Sequence, residues 1–181
     1  MIKVEIYGVS FDLVGQQPVI LLKTEEGNKF LPIWVGHPEA AAILMRLQDA
    51  EAPRPMTHDL ALEMVIQLGG KITKVEITDL QEGTFFAQVV VQQNGDDLVI
   101  DSRPSDALAL AVRAEVPIFI ADDIIEEQAV EFEPGEVPGE EQMISEFKKF
   151  LENVTPEEFA RGDEPNQEDE PEPDVGPELG D

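Results

Sequence analysis

The sequence predicts an α+β fold, in which a mixed, mostly antiparallel sheet is packed with helices. Three observations carry that prediction. Apolar residues alternate or cluster in short runs over the first 35 positions and again over about 71–101. Stretches with helix-forming composition, bounded by proline and glycine, lie between and after those runs. The periodic patterning then stops near residue 132. The chain has 181 residues, with 39 acidic against 12 basic side chains, a formal charge of −27. That length suits one domain with an extension. Having no cysteine, the chain cannot form a disulfide framework or a thiolate metal site, which fits a reducing compartment. The longest unbroken apolar runs, 40–45 and 107–112, are six residues, against the roughly 20 that a membrane span needs. The opening MIKVEIYGV lacks the basic, apolar and small-residue blocks of a signal peptide. A soluble, cytoplasmic protein that does not span a membrane is expected.

Taken in order, residues 3–11 alternate as a strand, and 18–23 and 29–35 are short apolar runs. Gly15 and the turn Glu25-Glu26-Gly27-Asn28 separate them. At Pro38 the period changes, and Glu39-Ala40-Ala41-Ala42-Ile43-Leu44-Met45-Arg46-Leu47 continues with strong helix formers. Pro53-Arg54-Pro55 ends that helix. Thr57 is placed to cap a second helix, with Asp59 in its positive first turn and Gly69-Gly70 at its end. Strands follow at 71–80 and 85–92, and Asn94-Gly95 is the hairpin signal that joins the latter to 98–101. A third helix begins around Arg103-Pro104-Ser105-Asp106 and runs to about Glu115. A last strand at 118–121 and a short acidic helix over 122–131 complete the domain.

The charge divides the chain. Residues 1–132 hold 22 acidic and 9 basic side chains, and residues 133–181 hold 17 and 3. Within 133–161 a helical extension is expected over about 140–154. Its Met143, Ile144, Phe147, Phe150, Leu151 and Val154 form one stripe, read as docking on the main domain, with a partner groove as the alternative. From Gly162 to Asp181 there are nine acids, four prolines and no base. That composition reads as a disordered acidic tail that solvates, or more sharply as a polyphosphate mimic. Three helical stretches, 40–47, 60–68 and 107–112, are apolar almost all round. A small domain has little room to bury them, so self-association as a homodimer is expected.

No Gly-rich phosphate loop, HExxH or GxSxG motif occurs. What recurs is a proline-flanked arginine before a helix whose first turn holds an aspartate. It appears as Arg54-Pro55-Met56-Thr57-His58-Asp59 and as Arg103-Pro104-Ser105-Asp106. Free N–H groups beside an arginine suit a phosphate oxygen, and a carboxylate in the same corner can hold a cation or orient water. On spacing alone, capping and dipole pairing explain Thr57, Ser105, Asp59 and Asp106 better. His58 and Asp59 are neighbours on a helix and do not face one another, so any dyad must be built across helices. His37 reads as a helix-start residue. If Arg54, His58, Asp59, Arg103 and Asp106 converge, the shared-site reading gains over capping.

LPIWVGHPEAAAI at 31–43, RPMTHDL at 54–60 and DSRPSDALALAVR at 101–113 resemble the bifunctional nuclease domain family, over about residues 1–132. The resemblance implies a dimeric, wedge-shaped α+β domain with a groove as its active site, degrading both DNA and RNA. It carries Glu39, Arg54, Thr57, His58, Asp59, Arg103, Ser105 and Asp106 into that groove. The expected chemistry is metal-assisted phosphodiester hydrolysis. Asp59, Asp106 and Glu39 would hold Mg²⁺ or Mn²⁺, and His58 would activate water with Asp59 and Asp106. Arg54, Arg103, Thr57 and Ser105 would hold phosphate. Nucleic acid is thus the expected substrate, against an acidic balance that disfavours it. The alternative is a non-catalytic regulatory module that binds an anion or a protein through the same groove.

Overall fold

The computed structural model describes residues 1–12, 17–50 and 52–131. The helix expected over 140–154 and the acidic tail from 162 lie outside the described residues. Strands β1 (Ile2–Asp12), β2 (Gln17–Thr24) and β3 (Lys29–Trp34) form an antiparallel meander. Helices α1 (His37–Leu47) and α2 (Thr57–Gln67) follow. A second meander is built from β4 (Gly70–Gln81), β5 (Thr84–Gln93) and β6 (Asp96–Ser102). Then come α3 (Pro104–Ala114), β7 (Ile118–Ile120), α4 (Asp122–Gln128) and β8 (Val130–Glu131).

The described strands form one eight-stranded sheet in the order β6-β5-β4-β7-β1-β2-β3-β8. Only the β4–β7 pairing is parallel. The short β7 joins the two meanders, pairing Ile118 with Val75 on one side and with Val4 on the other. The fold is therefore α+β with a mixed, mostly antiparallel sheet. Alternate residues of its strands enter the core with the inner faces of the helices. Ile20, Leu22, Val75, Ile77, Ala87 and Val89 pack with Ile43, Ala107, Leu108 and Ala111. Asn94 and Gly95 both have positive φ (53° and 94°), the two-residue turn that matches strand twist. Glu82 and Gly83 (50° and 78°) close β4 onto β5 in the same way.

Two boundaries differ from expectation. The acidic helix stops at Gln128, because Val130 and Glu131 turn extended and pair with Phe30 and Lys29 on the free edge of β3. Thr57 is not the cap of α2. The cap position is Met56, whose backbone N–H donates to Oδ2 of Asp59 at 2.8 Å. A carboxylate from the third helical position thus satisfies a donor that Thr57, one residue too late, does not serve.

Helix α3 packs against both α1 and α2 as well as against β4 and β5. No residue of α2 is buried, and Leu60, Met64 and Ile66 are more than half exposed, as is Leu68 just beyond the helix. Among the described residues no helix is long and apolar enough to cross a membrane.

Candidate functional site

The starts of α1, α2 and α3 meet. Glu39 lies in the first turn of α1, His58 in that of α2, and Arg103 is the residue on which α3 begins, with Asp106 in its first turn. Each helix opens after an extended residue with a proline one or two positions away, which fixes where its first turn points. The fork of Arg103 grips Asp106, Nε to Oδ2 at 2.7 Å and Nη2 to Oδ1 at 3.0 Å. The same Nη2 donates to Oε1 of Glu39 at 3.0 Å. On the other side Oδ1 of Asp106 lies 3.0 Å from Nε2 of His58. A continuous chain, Glu39–Arg103–Asp106–His58, therefore crosses three helix starts.

Burial would raise the Asp106 carboxyl, but hydrogen bonds from Arg103 and His58 outweigh it and hold the group below the ordinary carboxylate value. Asp106 is consequently ionised at neutral pH and can only accept. Nε2 of His58 then carries the hydrogen of that contact, and in the neutral tautomer Nδ1 holds the lone pair. The hydrogen bond to Asp106 raises the Arg103 guanidinium further above its already high value, so its charge is permanent. His58 is 13% exposed and Asp106 31%, so the pair is sheltered while remaining reachable.

Asp59 faces elsewhere. Its Oδ1 accepts from Nε of Arg113 at 2.5 Å, two turns along α3 from Asp106. Burial raises the Asp59 carboxyl, and the Met56 amide and Arg113 more than offset this to give a net lowering. Arg113 is 5% exposed and also donates to the carbonyls of Ala109 at 2.9 Å and Ala42 at 3.2 Å. It thus ties α1, α2 and α3 together at the other end of α3 from Arg103. Sequence reasoning missed Arg113, which reads as an ordinary basic residue in a last helical turn. Its only signal was its seven-residue spacing from Asp106, which puts both on one face of α3.

Arg54 is exposed at the corner before α2 and forms no ion pair with a described residue. Thr57 is exposed, and Ser105 is buried at 8% exposure. Of the eight expected groove residues, Glu39, His58, Arg103 and Asp106 share a connected network, and Asp59 belongs to the Arg113 clamp. Among the described residues no three histidine, aspartate or glutamate side chains are grouped to hold a metal ion. Glu39 and Asp106 each face Arg103, and Asp59 faces Arg113, so the donor set as arranged does not fit a divalent cation.

A glycine supports the arrangement. Gly36 precedes α1, and a Cβ there would collide with Oε2 of Glu39. Its backbone angles (φ −69°, ψ 157°) are open to any residue, so the constraint is space for the carboxylate.

The family model for the bifunctional nuclease domain matches residues 20–133. The chain belongs to the bifunctional nuclease domain family. Its relatives within and beyond that match differ in what is known of them. An uncharacterized protein of Mycobacterium tuberculosis, Rv1829, is 39% identical over 163 residues, 87% of this chain and 97% of the relative. Bifunctional nuclease 1 of Arabidopsis thaliana is 31% identical over 107 residues, and bifunctional nuclease 2 of Oryza sativa subsp. japonica is 30% identical over 108. Those matches cover 57% and 58% of this chain but only 33% of each plant protein. The family match contains the entire Glu39–Arg103–Asp106–His58 chain and both meanders apart from β1 and the first residues of β2.

Proposed function

We propose that the protein hydrolyses phosphodiester bonds of DNA and RNA at the joined starts of α1, α2 and α3. The observation that carries this is the ionised Asp106 bridging His58 and Arg103 in a domain related to plant bifunctional nucleases. Asp106 orients the imidazole, so Nδ1 of His58 takes a proton from water as the water oxygen attacks phosphorus. The bridging ester oxygen leaves and is protonated from solvent. Arg103 offsets charge that builds on the non-bridging oxygens. Mg²⁺ or Mn²⁺ on Asp59, Asp106 and Glu39 would require those carboxylates to leave their arginines.

The test uses the purified full chain and end-labelled single-stranded DNA and RNA, with either cation or with chelator. His58→Ala and Asp106→Asn should each lower cleavage by about 10²-fold or more, the usual contribution of a general base. Undiminished cleavage by both variants would place the activity in a contaminant.

A second reading has its own observation. Arg103 is already shared by two carboxylates, in a domain with 22 acidic and 9 basic residues, which favours a non-catalytic module that binds an anion or a protein. Oligonucleotide binding without cleavage under every cation condition would support that module over the nuclease.

A further inference from the structure

Beside the network lies an open cleft of about 410 Å³, within the range of about 300–1,000 Å³ that small-ligand sites occupy. It runs between the end of β3 with the start of α1, the Glu82-Gly83 turn with the start of β5, and the start of α3. Trp34, Gly36, Thr84, Phe85 and Arg103 are among its lining residues. Trp34 is 53% exposed although it ends a strand whose other apolar residues Phe30, Leu31 and Ile33 are buried. Arg103 belongs both to the cleft and to the Asp106 network. Its Nη1 donates to no described residue, since its bonds to Asp106 and Glu39 use only Nε and Nη2.

We propose that this cleft is a base-stacking subsite, in which Trp34 receives an unpaired nucleobase while the adjoining phosphate lies against Arg103. The proposal rests on the nuclease reading and sharpens it, naming single-stranded nucleic acid as the substrate. Nucleic-acid affinity ordinarily comes from many lysines and arginines, and this domain has few and a large acidic excess. Stacking on an aromatic face draws on no net charge and accepts every base. An indole beside one cation is therefore the kind of recognition that an acidic protein retains. A paired base is already stacked and keeps its faces covered, so a duplex does not enter. The base then sits in the cleft with its phosphate against Arg103, whose Asp106 partner faces His58.

Trp34 is the only tryptophan in the chain, so tryptophan fluorescence, excited selectively over Tyr7, reports on this cleft alone. The full chain is titrated, in chelator, with adenosine monophosphate, ribose 5-phosphate, and a single-stranded oligonucleotide and its duplex of equal length. Saturable quenching by the nucleotide and the single strand, with none by ribose 5-phosphate, is expected. Trp34→Ala should weaken single-strand binding, followed by calorimetry, about five- to a hundred-fold, the fold-change of a stacked base. Trp34→Phe should restore most of it, which separates stacking from any loss of folding. Equal affinity for duplex and single strand, or full affinity in Trp34→Ala, overturns the proposal. So does Trp34 emission that shifts to the blue with protein concentration and ignores nucleotide, because a second copy of the chain would then cover the indole. His58→Ala should keep the quenching while losing cleavage. Absent cleavage with intact quenching refutes the nuclease reading alone, and cleavage without quenching refutes the subsite alone.

Discussion

Replacing Arg113 with methionine removes the clamp that holds α2 over α3. The guanidinium is 5% exposed, and methionine of similar length preserves most of the packing. Lost are a charge-assisted bond to Asp59 and two bonds to the carbonyls of Ala109 and Ala42. The charged bond contributes about 1.5–3 kcal/mol, weighted to the low end because Asp59 is 39% exposed and can be rehydrated. The carbonyl bonds add about 0.5–1 kcal/mol each, since helix carbonyls keep their own partners. The variant should lose about 2.5–4 kcal/mol, which for a domain of this size lowers the midpoint by about 10–16 °C. Arg103→Met, at a side chain 66% exposed, should cost no more than about 1 kcal/mol. Calorimetry of Arg113→Met, Asp59→Asn and the double variant supplies a cycle with an expected coupling of about 1–2 kcal/mol. The ring ¹⁵N shifts of His58 should also lose the Nε2–H signature as α2 loosens. A midpoint within about 2 °C of the parent, or a purely additive cycle, would refute the clamp.

Asp106→Asn should destabilise the protein at neutral pH. The lowered carboxyl contributes in full above its ordinary value of 3.8 and loses that contribution as pH falls through the lowered one, so melts of parent and variant should converge only in acid below about pH 4. Gly36→Ala should push the Glu39 carboxylate off Arg103 at a cost under about 1 kcal/mol, and bind single-stranded oligonucleotide more tightly by calorimetry. Leu60, Met64 and Leu68 lie one helical turn apart as an exposed stripe along and just past α2, so sedimentation equilibrium should give about twice 20.0 kDa, and Leu60→Glu with Met64→Glu should reduce it to a single copy.

The fold was legible because its signals are local. Alternation over β1 and β5, Asn94-Gly95 in a tight turn, and Pro38 and Pro104 at helix starts each act within a few residues. The end of α4 was not, because what stops it is an open strand edge a hundred residues earlier in the chain. The site was half legible for the same reason. The two Arg-Pro openings signalled helix starts, and His58, Arg103 and Asp106 do meet. The motif cannot say which way an aspartate turns once its helix is docked. Asp59 and Asp106 sit alike in sequence, yet one answers to Arg113 and the other to Arg103. Nothing in the spacing marks Arg113 as buried or Trp34 as exposed. Both properties exist only after α3 has settled between its neighbours and β3 has ended.

On the proposed reading, a phosphate that arrives at Arg103 meets Nη1 first, and a closer approach to Nη2 displaces one of the two carboxylates already there, which the geometry ranks. Asp106 is held through two donors and also faces His58. Glu39 shares a single donor, Nη2, with Asp106. A bidentate pair is stronger and more directional than a single bond. The substrate therefore displaces Glu39 first and leaves the Asp106–His58 contact in place, which the proton transfer requires. Glu39 is 18% exposed, and its carboxylate, once released, stays beside the scissile group as a second negative charge. That charge discourages anions that bring no stacking base with them and leaves the single strand, seated on Trp34, as the ligand able to meet the cost.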